Sequence, residues 1–385
     1  MPSHASGATR VRSHLPALTG VRFLAAFWVV VFHFVRPERI PARLLNFVGH
    51  GYAAVGLFFI LSGFILTINY LDLQGRFLST PAEFWKSRLT RVYPVYIAAL
   101  ILSIGVVLTG WRAGHDFRSL GHLMWTGILT AVMQQSWLTS TATLWNAPAW
   151  SLSVEAFFYL TFPFLIRVIA RIPARRLPAA LVIAFLVAML GPLLGFWDNP
   201  TKSYDALPTD FPRFLLMVNP LLRLPEFVFG ILLGRLWQHE SMPSRAVGPL
   251  TIIFGSAAAL VLFSGSVPRV FIGNGLLAPF WAVLICALAQ GWPAWLYQFL
   301  SSRPMVALGE ASYGMYILQV PVGFYFFRWY HGPAGVITYL VLLTVLSLLS
   351  FHYFETPARR WLRGRRALPG TAGNQRVELV LTSNR

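Results

Sequence analysis

The chain has 385 residues, of which 56% are hydrophobic and 11% charged, with a mean hydropathy of +0.61. A water-soluble domain carries about 25% charged residues, so this composition excludes one and leaves an integral membrane protein. The formal charge of +18 sits in loops and tails, where Lys and Arg orient a membrane protein, and no nucleic-acid partner is expected.

Apolar runs of spanning length recur at 17–36, 52–71, 86–109, 119–137, 148–170, 177–197, 214–237, 246–264, 270–289, 304–327 and 333–354. The first carries Arg22 and His33. Eleven helical steps turn about 1100° and rise about 16 Å, so the two share a face, the arginine near one interface and the histidine deep. Ionisable groups at such depth are costly and mark function; interface anchoring and a bond to a neighbouring helix are the bland readings. Arg10 and Arg12 precede the run as in a signal peptide, but no small-residue cleavage site follows, so a retained first helix is expected.

In the second run Gly56 and Gly63 lie seven apart, on nearly one face, and permit close helix contact. The third opens with Arg88 and Arg91, neighbours on one helix face. Two guanidinium forks near a helix N-terminus suit a phosphate; anchoring to lipid headgroups is the alternative. The segment 119–137 is the most polar, with His122, Gln134 and Gln135, and reads as re-entrant or surface-lying. His115 and His122 find no third ligand, so no metal is expected.

The run from 148 begins Pro148-Ala-Trp150-Ser151-Leu-Ser153-Val-Glu155. Its proline and serines resemble a helix start, with Ser151 or Ser153 as the expected cap and Glu155 in the first turns. Glu155 caps and pairs structurally, or it orients a catalytic group. Arg223 and Glu226, three apart, read as an internal ion pair. The lone cysteine, Cys286, reads as a packing residue and allows no internal disulfide. Glu310 reads as favouring the dipole at a helix start. His352 and Glu355 close the last run, Glu355 near arginines.

The basic tail, with Arg359, Arg360, Arg363, Arg365 and Arg366, is expected in the cytoplasm. With 119–137 not crossing, both termini face the cytoplasm, ten helices span, and most Lys and Arg fall inside. The expected fold is an all-α polytopic bundle: an N-terminal tail over 1–16, a membrane domain over 17–358 and a basic tail over 359–385. The multi-pass chain is placed in a bacterial cytoplasmic (inner) membrane.

Taken in order, several stretches resemble the acyltransferase 3 family of bacterial membrane acyltransferases. They are Arg22-x10-His33, Val55–Phe64, Arg88-x-x-Arg91-x-x-Pro94, Trp150–Glu155, Arg223-Leu-Pro-Glu-Phe227, Gly309-x-x-Ser-Tyr313 and Glu355-x-Pro357. The resemblance implies transfer of an acetyl or other short acyl group from acyl-CoA to a hydroxyl of a carbohydrate such as an exopolysaccharide or lipopolysaccharide. It implies His33 as catalytic histidine with Arg22 as motif partner and Glu155 beside them. It implies Arg88 and Arg91 at the acyl-CoA, and Trp150, Ser151, Ser153 and Tyr313 toward the substrate. Many members carry a histidine after the Ser-Tyr segment; this chain has Gln319. Many also carry a C-terminal hydrolase-like domain, which is not expected here.

Such a site fits direct attack of a hydroxyl on a thioester with a neutral His33 as base, or an acyl-enzyme relay. Two rivals use the same buried charges: a flippase or transporter of a lipid-linked sugar, and a membrane protein that binds acyl-CoA or glycan without turnover. No internal repeat of the kind transporters show is visible.

Overall fold

The computed structural model describes residues 15–35, 38, 40–114, 119–200, 211–239 and 244–363. His115 and all but the innermost residues of the two expected tails lie outside that set. The helices are α1 (Pro16–Phe34), α2 (Ala42–Gly49), α3 (Ala54–Tyr70), α4 (Pro81–Leu102), α5 (Ile104–Arg112), α6 (Leu120–Ala131), α7 (Trp150–Ile169), α8 (Leu177–Asp198) and α9 (Phe211–Val218). They continue with α10 (Pro220–His239), α11 (Ser244–Phe263), α12 (Arg269–Gly273), α13 (Ala278–Ala289), α14 (Ala294–Ser301), α15 (Arg303–Phe326), α16 (Gly332–Ser350) and α17 (Thr356–Arg363). One π-helical turn, Phe351–Glu355, joins the last two. Among the described residues β-structure is limited to one isolated bridge, Leu71 to Phe77.

This is an all-α polytopic membrane bundle. Among the described residues, eight stretches are helical, long and apolar enough to cross a bilayer. Two more helices, α10 with 20 residues and α15 with 24, have the length but carry buried polar side chains. The segment 119–137 does not cross. Its helix, α6, has 12 residues, about 18 Å against a hydrocarbon core of about 30 Å.

Packing follows the small residues. The most extensive contacts are α3 on α10 and α1 on α15. A side chain at Gly63 would strike the α10 backbone at Phe227, and one at Gly230 would strike the α3 backbone at Ile60. These reciprocal glycines let two backbones meet where lipid gives helices no hydrophobic reason to associate. Gly309 does the same for α15, lying on the Thr19 carbonyl of α1.

Prolines inside the spans leave carbonyls without a helical partner, and other side chains supply the donor. Pro163 in α7 frees the Tyr159 carbonyl, which accepts from Trp85 Nε1 at 3.1 Å. Pro321 in α15 frees the Ile317 carbonyl, which accepts from Asn146 Nδ2 at 2.9 Å. A buried carbonyl left bare costs about 1–3 kcal/mol, so these bonds tie α4 to α7 and the loop before α7 to α15.

Arg223 and Glu226 form the expected pair, 2.7 Å apart and almost fully buried. Arg223 also donates to the Gly273 carbonyl and to Asn274 Oδ1, and its guanidinium lies 5.2 Å from the Phe59 ring. Cys286 is buried in packing contact.

Candidate active site

One polar cavity of about 290 Å³ opens among α1, α3, α4, α7, α15 and the π turn. Four arginines line it, Arg22, Arg88, Arg91 and Arg359, with three glutamates, Glu155, Glu310 and Glu355. Thus residues from both ends of the chain meet those of α4 and α7.

Arg88 and Arg91 share a face of α4 as the spacing implies, but they are not at its N-terminus. The helix begins at Pro81 behind a capping box: Thr80 Oγ1 accepts from the Glu83 amide and Glu83 Oε2 from the Thr80 amide. The two arginines lie two and three turns in, beyond the first-turn dipole. Arg88 Nη2 donates to Tyr70 Oη at 3.0 Å and to Ser87 Oγ at 3.2 Å. Its guanidinium lies 5.4 Å from the Tyr70 ring and 5.8 Å from the Phe84 ring, which hold it in place. Arg22 and Arg91 face one another as like charges, and neither donates a hydrogen bond to a described residue. Their donors therefore point into the cavity unspent.

Glu155 stands opposite. Its Oε1 accepts from Tyr159 Oη and from Ser62 Oγ, the latter at 3.3 Å. The expectation that Ser151 or Ser153 caps α7 is not met, because a 3-10 turn, Ala147–Ala149, leads into that helix. Ser151 Oγ instead meets Tyr316 Oη at 2.8 Å across to α15. Ser153 Oγ donates to the Met133 carbonyl at 2.7 Å, behind the cavity wall. Tyr313 lines the cavity and donates to the Val92 carbonyl at 2.9 Å. Trp150 does not line it; its ring packs edge-on against Phe59, 6.3 Å between centroids.

His33 departs from the expected depth. The apolar run continues to Val35, but α1 ends at Phe34 with an extended Val35. The imidazole thus occupies the last turn, is exposed, and is not part of the cavity wall. Arg22 takes the interior position instead. His33 Nδ1 meets Gln319 Oε1 of α15 at 2.9 Å. Tyr316, which does line the cavity, is one turn before Gln319. So α15 carries the cavity wall and the histidine's partner on one helix.

Three residues escaped the sequence reading or were read as bland. Glu310 is not at a helix start, since α15 begins at Arg303; it is exposed and turned to the cavity. Glu355 is buried and faces Arg359, Arg91 and Arg22. Arg359 joins it from α17. Their i, i+4 spacing was the available signal, but the π turn that aims them inward leaves no mark on an apolar pattern. Among the described residues no group of three or more His, Cys, Asp or Glu gathers as a metal site would need.

The sequence profile of a family described as an acyltransferase domain matches residues 15–352. The acyltransferase MdmB of Streptomyces mycarofaciens is 30% identical over 330 residues, covering 83% of this chain and 82% of that protein. The O-acetyltransferase OatA of Staphylococcus aureus is 25% identical over 371 residues, covering 90% of this chain and 57% of that one. The chain therefore spans little more than half the length of OatA. No solved structure matches it.

Proposed function

The chain belongs to the acyltransferase 3 family of membrane acyltransferases, and from that premise we propose that it moves an acetyl or other short acyl group from acyl-CoA to a hydroxyl of an envelope carbohydrate. The observation that carries this reading is the cavity holding Arg22 and Arg91 with unspent donors, beside Arg88 and Arg359. The four arginines outnumber the three glutamates that share the cavity, so the balance favours an anion, and guanidinium forks match phosphate oxygens. The phosphates of acyl-CoA have that chemistry. The excess of basic residues expected in the cytoplasm supports an arginine mouth on the cytoplasmic side, where acyl-CoA is made.

The roles follow from position. Arg88 and Arg91 hold the phosphates, with Arg22 and Arg359 completing the ring of charge. Glu155, tied to Tyr159 and Ser62, offsets the mutual repulsion of the arginines and orients the cavity wall. The thin pantetheine arm carries the thioester past Tyr316 toward His33, about 16 Å along α1 from Arg22. There the acceptor oxygen attacks the acyl carbon, the carbon–sulfur bond breaks, and His33 takes the hydroxyl proton and returns it to the departing thiolate.

Equilibrium binding of acetyl-CoA to the protein in nanodiscs tests the donor half. A charged hydrogen bond contributes about 1.5–3 kcal/mol, so Arg88→Ala or Arg91→Ala is expected to weaken binding at least about tenfold. Unchanged affinity in both variants would remove acyl-CoA phosphates from this cavity. Mass and ester-sensitive NMR comparison of envelope glycans from cells with and without the protein identifies the acceptor.

A further inference from the structure

A histidine that works as a base needs its proton on the nitrogen away from the substrate, and the surroundings of His33 determine which nitrogen that is. Gln319 Nε2 donates to the Tyr316 carbonyl at 2.7 Å. A carbonyl oxygen cannot donate, so the amide is not free to flip: its nitrogen faces Tyr316 and its Oε1 faces the imidazole. At 2.9 Å from His33 Nδ1, that Oε1 can only accept. In the neutral imidazole Nδ1 must then carry the hydrogen and Nε2 the lone pair.

Gln319 is itself held rigidly. It is fully buried, its backbone carbonyl accepts from Tyr339 Oη of α16 at 2.7 Å, and the Tyr339 ring lies 4.6 Å from Phe34, the neighbour of His33. The helix around it carries Pro321, whose freed carbonyl at Ile317 is bound by Asn146. No described residue bonds His33 Nε2, and the residue is exposed.

We propose that Gln319 is a positioning residue: it locks His33 in the Nδ1–H tautomer and presents Nε2, unprotonated, to the acceptor hydroxyl. A glutamine therefore does here, as a neutral acceptor held by a carbonyl, what a carboxylate does for the histidine of a hydrolytic triad. Its use in catalysis rests on His33 acting as the base; the tautomer itself does not.

The test is nitrogen NMR of the whole protein, labelled with 15N-histidine and reconstituted in lipid. It is run at about pH 8.5, two units above the ordinary histidine range, with His33→Gln as the difference spectrum that assigns the ring. The wild type is expected to show a protonated Nδ1 and a bare Nε2, and this needs no further variant. Gln319→Leu is expected to release the preference and to lower kcat about 10- to 100-fold with KM for acyl-CoA unchanged. Gln319→Glu, which keeps an acceptor at the same place, is expected to keep the tautomer. A wild-type ring protonated at Nε2, or the same tautomer in Gln319→Leu, would overturn the proposal. A locked tautomer together with a fully active His33→Ala would uphold the positioning role and refute the base.

Discussion

A guanidinium enclosed by protein is stabilised by a partner or by a ligand, and the arginines here divide on that line. Arg223 pairs with Glu226 through Nη2 and donates from Nη1 to Gly273 and Asn274, so it is part of the framework. Removing one partner of such a pair leaves an uncompensated charge, at about 3–5 kcal/mol. Arg223→Met is therefore expected to lower the thermal unfolding temperature in detergent sharply, while Arg223→Met with Glu226→Leu recovers most of it. Equal stability in the two variants would mean that the pair is not buried as described. Arg22 and Arg91, by contrast, donate to no described residue. Arg22→Ala and Arg91→Ala are expected to leave the unfolding temperature near that of wild type, or to raise it, while raising KM for acyl-CoA at least about tenfold.

The elements are aimed by irregularities rather than by their regular parts. The Tyr159 carbonyl that Pro163 leaves bare is bound by Trp85, which holds α4 against α7 and so sets the distance from Arg88 to Glu155. Hydrogen bonds between membrane helices contribute about 0.6 kcal/mol on average and about 1.7 at most. Trp85→Phe is thus expected to cost about 1 kcal/mol in thermal unfolding, with activity falling further than stability if the bond places the two helices. The π turn at Phe351–Glu355 holds one residue more than an α turn would, and such turns favour functional sites. Excising Tyr353, which is exposed, restores α-helix and rotates α17 by about 100°. Arg359 then leaves the cavity, and acyl-CoA binding is expected to weaken while α16 stays folded. Undiminished binding would exclude Arg359 from the donor site.

At the scale of the molecule, two places need each other. The arginine cavity lies among α1, α3, α4, α7 and α15, and the imidazole sits at the end of α1, with Tyr316 and Gln319 between them. Much of this was legible from residue spacing. Arg88 and Arg91 share a face, Arg223 and Glu226 pair, and 119–137 is too polar to cross. The rest was hidden for physical reasons. The depth of His33 was misread because apolar character continues past the end of α1, and hydropathy does not see a helix stop. The resemblance implied Trp150 and Ser153 toward the substrate, and a shared motif does not separate the wall of a cavity from the packing behind it. Glu355 and Arg359 were read as interface and tail residues because a π turn leaves the apolar period unchanged. The account as a whole stands on the imidazole at the far end of the donor's path. The most direct measurement is transfer of labelled acetyl from acetyl-CoA by purified, reconstituted protein, wild type beside His33→Ala at matched folded amounts. General-base catalysis contributes about 10²–10⁴-fold, so the account predicts a loss of at least about 100-fold with acetyl-CoA affinity unchanged, and transfer at the wild-type rate would contradict it.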